Sequence, residues 1–280
     1  MLGAMIIVFR EVIEAGIIVG IVLAVTKGVP RRGRWIGSGV AAGIVGASLL
    51  AVFADGLANA LAGIGQEVFN AAVLALAVCM LAWHNIWMAR HGRELAAEMR
   101  GMGQSVTNGS RSLAAMAVVV GVAVLREGSE VVLFLYGLAV GGGSTMWGLL
   151  AGSVIGLALG IAVSALTFLG LVTIPTKYLF RVTTVLITFL AAGLAAQSVL
   201  FLQQAGIATI LEKTMWDLSP ILSDTSLFGR LLHTLLGYND QPSEMQVLVY
   251  ATTLSVIFTL TKFFEPPKGS VQSAVVSKGI

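Results

Sequence analysis

Charge is what this sequence has least of. Of its 280 residues only 11% are charged, while 57% are hydrophobic; soluble domains carry about 25% charged residues. A soluble domain of this length still needs a wet, charged surface, so the deficit excludes that class and makes lipid the natural solvent. The formal net charge of +3 comes with no basic arm carrying interleaved aromatics, which excludes a nucleic-acid partner. The single cysteine, Cys79, excludes an intramolecular disulfide and a Cys-rich metal site. Sitting in an apolar stretch, it is expected to be a small buried core residue. The ten methionines are scattered and form no copper-type cluster. No G-x-S-x-G surrounds Ser129, so nothing points to a serine hydrolase, and an enzyme is not expected. The first residues lack the positive n-region and small-residue cleavage pattern of a secretory signal, so the first apolar helix is expected to be retained.

What is there in abundance is long apolar runs. A spanning helix needs about 20 mainly apolar residues. Seven stretches qualify, from about Ala4 to Thr26, Trp35 to Ala54, Glu67 to Ala89, Leu113 to Val140, Thr145 to Val172, Tyr178 to Gln203 and Met245 to Thr261. The expected fold is therefore an all-α integral membrane protein of seven transmembrane helices. The transmembrane domain takes residues 1–266 and a cytoplasmic tail 267–280. Lys27, Arg31, Arg32, Arg34, Arg90, Arg93, Arg100, Arg111, Lys177, Arg181, Lys262, Lys268 and Lys278 fall on one side of seven spans, against Lys213 and Arg230 on the other. That bias puts the N-terminus outside and the C-terminus in the cytoplasm of a multi-pass cell-membrane protein.

Phe9-Arg10-Glu11-Val12-Ile13-Glu14 reads against Leu125-Arg126-Glu127-Gly128-Ser129-Glu130. Each motif lies in the first helix of a three-helix unit, one over about 1–110 and one over about 111–205. Three spans separate the units, which predicts two inverted three-helix repeats plus a seventh helix, a plan that places sites near the midplane. Glycines recur every four residues at Gly148, Gly152, Gly156 and Gly160, and at Gly16 and Gly20. Such stripes let helices approach closely. They leave open whether the partner is a helix of the same chain or a second copy in an oligomer. In the loop of about 206–244, Leu227, Phe228, Leu231, Leu232, Leu235 and Leu236 share one helix face. Ser223, Asp224 or Thr225 could cap its start and Gly237 its end, giving an amphipathic helix on the outer membrane surface.

Each ionisable group in a spanning helix costs about 2.5–3.5 kcal/mol on insertion scales, and two helices here carry three apiece. Glu11 and Glu14 share a helix face, as do Glu127 and Glu130; Arg10 can pair with Glu14 and Arg126 with Glu130. Each motif keeps one negative charge over, so the pair of motifs attracts a multivalent cation. Carboxylate oxygens, with hydroxyls such as Ser129 nearby, suit hard cations: ferric iron, and equally manganese, magnesium or calcium. The bland alternative is a structural ion-pair network between helices. Asp55, Glu67, Asp217 and Asp224 lie in or beside outer loops and are candidates for the entrance, with solvated loop charges as their plain alternative. His84, beside Asn85 and between Trp83 and Trp87, reads as a hydrogen-bonded interfacial group rather than a ligand.

These residues resemble the oxidase-dependent iron permeases, a family that includes fungal high-affinity iron permeases and the bacterial permeases of the elemental ferrous iron uptake system. The family's hallmark is two R-E-G-x-E motifs, in the first and fourth of seven spans. Arg126-Glu127-Gly128-Ser129-Glu130 matches fully, and Arg10-Glu11-Val12-Ile13-Glu14 matches except for Val12 in place of glycine. The likeness extends to Arg32-Gly33-Arg34-Trp35-Ile36-Gly37, to Ala191-Ala192-Gly193-Leu194-Ala195-Ala196, to Ser226-Leu227-Phe228-Gly229, to Gly237-Tyr238 and to Pro242-Ser243. It implies ferric iron transport along Glu11, Glu14, Glu127 and Glu130, with iron as substrate and no permanently bound cofactor. It also implies an extracytoplasmic iron-binding, oxidase or peroxidase-like partner. Some relatives are associated with lead, so another metal, lead or manganese, is the alternative substrate. A seven-helix sensor is the alternative of a different class, but no mid-membrane lysine is placed to hold retinal and the tail after Lys262 is short.

Overall fold

The computed structural model describes residues 1–60, 65–141, 145–170 and 176–264. Its order is α1 (Leu2–Val25), α2 (Arg32–Ala60), α3 (Gln66–Thr107), α4 (Leu113–Val140), α5 (Met146–Phe168), α6 (Thr176–Gln204), α7 (Leu227–Leu236) and α8 (Glu244–Phe264). Among the described residues there is no strand, and the one isolated β-bridge joins Thr214 to Ser243. Among the described residues, five helices contain stretches long and apolar enough to cross a membrane: Arg32–Ala54, Gln66–Trp87, Met146–Phe168, Arg181–Gln204 and Glu244–Phe263. The chain is thus an all-helical, multi-pass membrane protein that sits in lipid. Helices α1 and α4 have the length, but Arg10, Glu11 and Glu14 interrupt one and Arg126, Glu127 and Glu130 the other.

Two apolar clusters make the core. One gathers Ala4 and Ile7 of α1, Leu74 and Leu81 of α3, Phe134 and Leu138 of α4, Leu149 of α5, Ile187 to Leu194 of α6 and Ile257 of α8. The other gathers Ile18 and Val22 of α1, Ile36 of α2, Met99 and Val106 of α3, and Met116, Val120 and Val124 of α4. The start of α1 meets the end of α4 in the first cluster, and the end of α1 meets the start of α4 in the second. The two helices therefore run antiparallel, and both charged motifs fall in the layer between the clusters.

The glycine stripes settle which helices touch. A Cβ added at Gly152 or Gly156 would run into the backbone of Met1 or Met5, and one at Gly160 would sit 2.7 Å from Val12 Cγ1. The partner of the α5 stripe is thus α1 of the same chain. Gly16 answers from α1, packed against Ser164 of α5. Helix α2 does the same to α4: Gly39 packs on the Ala117 carbonyl, and a Cβ at Gly43 would lie 2.7 Å from the Gly121 carbonyl oxygen. Helices α3 and α6 pack on each other, tied where Ser198 Oγ donates to the Ala71 carbonyl at 2.9 Å.

Several expectations need correction. Helix α3 does not stop near Ala89 but continues to Thr107, 42 residues in all, so Arg90, Arg93 and Arg100 lie on the helix rather than in a loop. At 1.5 Å per residue it is roughly 60 Å long, twice an apolar core of about 30 Å. Its far half is held by packing, with Met99 and Val106 buried in the second cluster. Asp55 likewise lies within α2 rather than in a loop; its side chain falls outside the described residues. Cys79 is exposed, not buried, on an outward face of α3 where the solvent is lipid. The cap of α7 is Ser226, whose hydroxyl accepts from Gly229 N at 2.9 Å. Gly237 ends α7 at φ +68° and rests against Gly193 of α6, both bare of the side chains that would part them. Phe228 is left fully outward.

Candidate metal centre

Helical spacing places the charged groups. Residues four apart meet on one face, and Arg10 Nε accordingly donates to Glu14 Oε1 at 2.9 Å. Arg126 Nε donates to Glu130 Oε1 at 3.3 Å. The two arginines differ in setting. Arg10 has 2% side-chain exposure and spends a second donor on Asn85 Oδ1 of α3, at 2.8 Å. Arg126 has 35% and lies over Trp87, its guanidinium carbon 4.4 Å from the ring centroid. Ser129 does not point its hydroxyl at a ligand position; it donates to the Arg126 carbonyl of its own helix at 2.7 Å.

The four glutamates come together, and His84 of α3 stands among them. It is buried among these carboxylates. Its Nδ1 meets Glu130 Oε2, while Nε2 lies 3.4 Å from Glu14 Oε2 and 3.9 Å from Glu11 Oε2. Ligand atoms of Glu11, His84, Glu127 and Glu130 all lie within 4.8 Å of one another, and all four residues are buried. Among the described residues no hydrogen bond reaches either oxygen of Glu11 or either oxygen of Glu127. Arg126 Nε lies 4.0 Å from Glu127 Oε1.

A buried carboxylate without a donor is costly, and a buried uncompensated charge more so. Four carboxylates against two guanidiniums leave an excess of negative charge in a water-poor layer. A multivalent cation satisfies all of this at once. Nothing in the motif spacing points to His84. The available signal was its position: a polar His84-Asn85 pair inside an apolar span is subject to the same cost rule that singles out the glutamates.

The proposed entrance acids stand apart from this group. Glu67 is exposed in the first turn of α3. Asp217 is exposed and accepts from Ser219 N at 2.9 Å and Ser219 Oγ at 2.6 Å. Those bonds, then Gln241, hold its carboxyl below the usual carboxylate range. Asp224 is half-buried, and burial followed by the neighbouring Asp240 pushes its carboxyl up. Both serve their own loop.

The chain matches the iron permease FTR1 family over residues 1–264. It is 32% identical over 276 residues to the protein named ferrous iron permease EfeU of Yersinia pestis, covering 97% of this chain and 96% of the relative. It is 30% identical over 272 residues to the protein of the same name in Escherichia coli O6:K15:H31, covering 96% and 97%. No solved structure matches.

Proposed function

The chain belongs to the iron permease FTR1 family, a family of transporters and not of enzymes, and on that premise we propose that it carries iron inward across the cytoplasmic membrane through the layer of Glu11, Glu14, Glu127 and Glu130. The observation that carries the reading is the pair of buried carboxylates, Glu11 and Glu127, that no donor satisfies among the described residues. Arg10 and Arg126 neutralise the other two glutamates, so the layer holds its protein partners and still has charge left for a cation. Apolar clusters above and below keep that layer distant from both faces, as a transport site requires.

In this reading α1 and α4 also span, giving seven helices with the N-terminus outside. The two three-helix units, about 1–110 and 111–205, form inverted repeats. Support comes from the exchanged packing: the first helix of each unit lies on the second helix of the other, α1 on α5 and α4 on α2, while the third helices pair. An iron-binding or oxidase partner outside the membrane would present the ion. Four carboxylates alone favour ferric iron; the relatives' printed name specifies ferrous iron, and His84 makes the donor set mixed.

The test is uptake into liposomes containing the purified protein, with iron supplied reduced and oxidised, and with manganese and lead as competitors. Iron accumulation above protein-free vesicles, with manganese and lead competing weakly, is the expected result. No iron accumulation, or a preference for lead or manganese, would overturn the proposal.

A further inference from the structure

His84 belongs to neither charged motif, yet it is 3% exposed at their junction. Its two ring nitrogens face different groups. Nδ1 is engaged by Glu130, a carboxylate already anchored on its other oxygen by Arg126. A carboxylate set against one ring nitrogen in that way is the arrangement that orients a metal-binding imidazole. Nε2 is then the nitrogen turned to Glu11 Oε2 and Glu14 Oε2, at 3.9 and 3.4 Å. Glu11 is 1% exposed and Glu127 2%, with all four of their oxygens lacking a hydrogen-bond donor among the described residues. Arg10 is already completed by Glu14 and Asn85, so the imidazole is not needed as its partner.

We propose that His84 is a nitrogen ligand of the metal layer, joining Glu11 and Glu127 through Nε2 while Glu130 holds the ring, and that it makes the layer select borderline first-row divalent cations over the hard cations magnesium and calcium. The proposal rests on the carboxylate layer being the metal site. Its chemistry is general: carboxylate oxygens suit magnesium, calcium and manganese, whereas neutral imidazole suits iron, nickel, copper and zinc. One nitrogen among oxygens keeps iron and raises the discrimination against the abundant alkaline-earth ions. Binding an ion requires the ring to give up the proton on Nε2, so that this nitrogen's lone pair is free.

The experiment uses the full chain in lipid nanodiscs with His91→Gln and His233→Gln, which leaves His84 as the only histidine of the three in the sequence. One equivalent of Cu2+ is added and pulsed electron paramagnetic resonance reads coupling to the remote nitrogen of a bound imidazole. The coupling is expected, together with its loss in a His84→Gln variant of the same protein. A bound ion that shows no imidazole coupling overturns the proposal. In parallel, His84→Gln is expected to weaken Co2+ binding by at least the roughly tenfold that outer-shell changes already cost, with Ca2+ binding little changed. Equal losses for both ions, or no loss for Co2+, also overturn it. Ion binding unaffected by Glu11→Gln and Glu127→Gln would instead refute the carboxylate layer itself, and the role of His84 with it.

Discussion

At the scale of single residues, the two motifs are alike in sequence and unlike in surroundings. Arg10 is sealed between Glu14 and Asn85, whereas Arg126 is partly exposed over Trp87. Breaking a buried pair strands the remaining charge and costs about 3–5 kcal/mol, while pairs open to solvent are worth about 1 kcal/mol or less. Glu14→Gln should therefore lower the thermal midpoint far more than Arg126→Met does. Arg10→Met combined with Glu14→Gln should recover most of that loss, since no charge is left stranded. Thermal unfolding of the purified variants in one detergent checks both statements. The motifs, their i,i+4 pairs and the leftover carboxylates were legible in the sequence, because they depend on helical spacing alone. His84 was not, because its place among the glutamates depends on how α3 is rotated against α1 and α4, which no local pattern encodes.

At the scale of helices, the departure of the first motif from the second finds its reason in the partner. Gly128 of the second motif faces Ala47 of α2, where an added Cβ would come within 2.6 Å of the alanine methyl. At the first motif the sizes are exchanged: Val12 is the large residue and Gly160 of α5 the small one, with 2.7 Å to Val12 Cγ1 for an added Cβ. Each contact needs one glycine and does not specify which helix supplies it. Gly160→Ala should overpack the α1–α5 contact and cost about 1–3 kcal/mol. Adding Val12→Gly, which copies the Gly128–Ala47 pair, should recover much of that loss. Unchanged stability in Gly160→Ala, or no recovery in the double variant, would contradict the account. The stripe on α5 was readable as a packing face, but its partner was not, since any close helix would satisfy it. The full length of α3 was hidden for a related reason. Its polar second half, Arg90 to Thr107, lacks the hydropathy that marks a span and is held as helix by Met99 and Val106 packing under α1 and α4.

At the scale of the whole molecule, the bias of lysine and arginine sets the proposed orientation, with α7 and its long loop outside and the α3–α4 turn inside. The native thiol must first be removed by Cys79→Ser, because Cys79 is exposed on the apolar surface. A cysteine at Gln241 should then react with an impermeant thiol reagent in intact cells, and one at Asn108 should not; the opposite pattern would reverse the direction of transport. The central claim is that unsatisfied carboxylates between two apolar clusters are the iron path. Glu11 and Glu127 make the sharpest test, because among the described residues no hydrogen bond breaks when either becomes glutamine. The measurement is iron uptake into liposomes, normalised to folded protein, for Glu11→Gln and Glu127→Gln. The account predicts folded, stable protein in both cases with uptake reduced to the protein-free background. Near-normal uptake by both variants would contradict it.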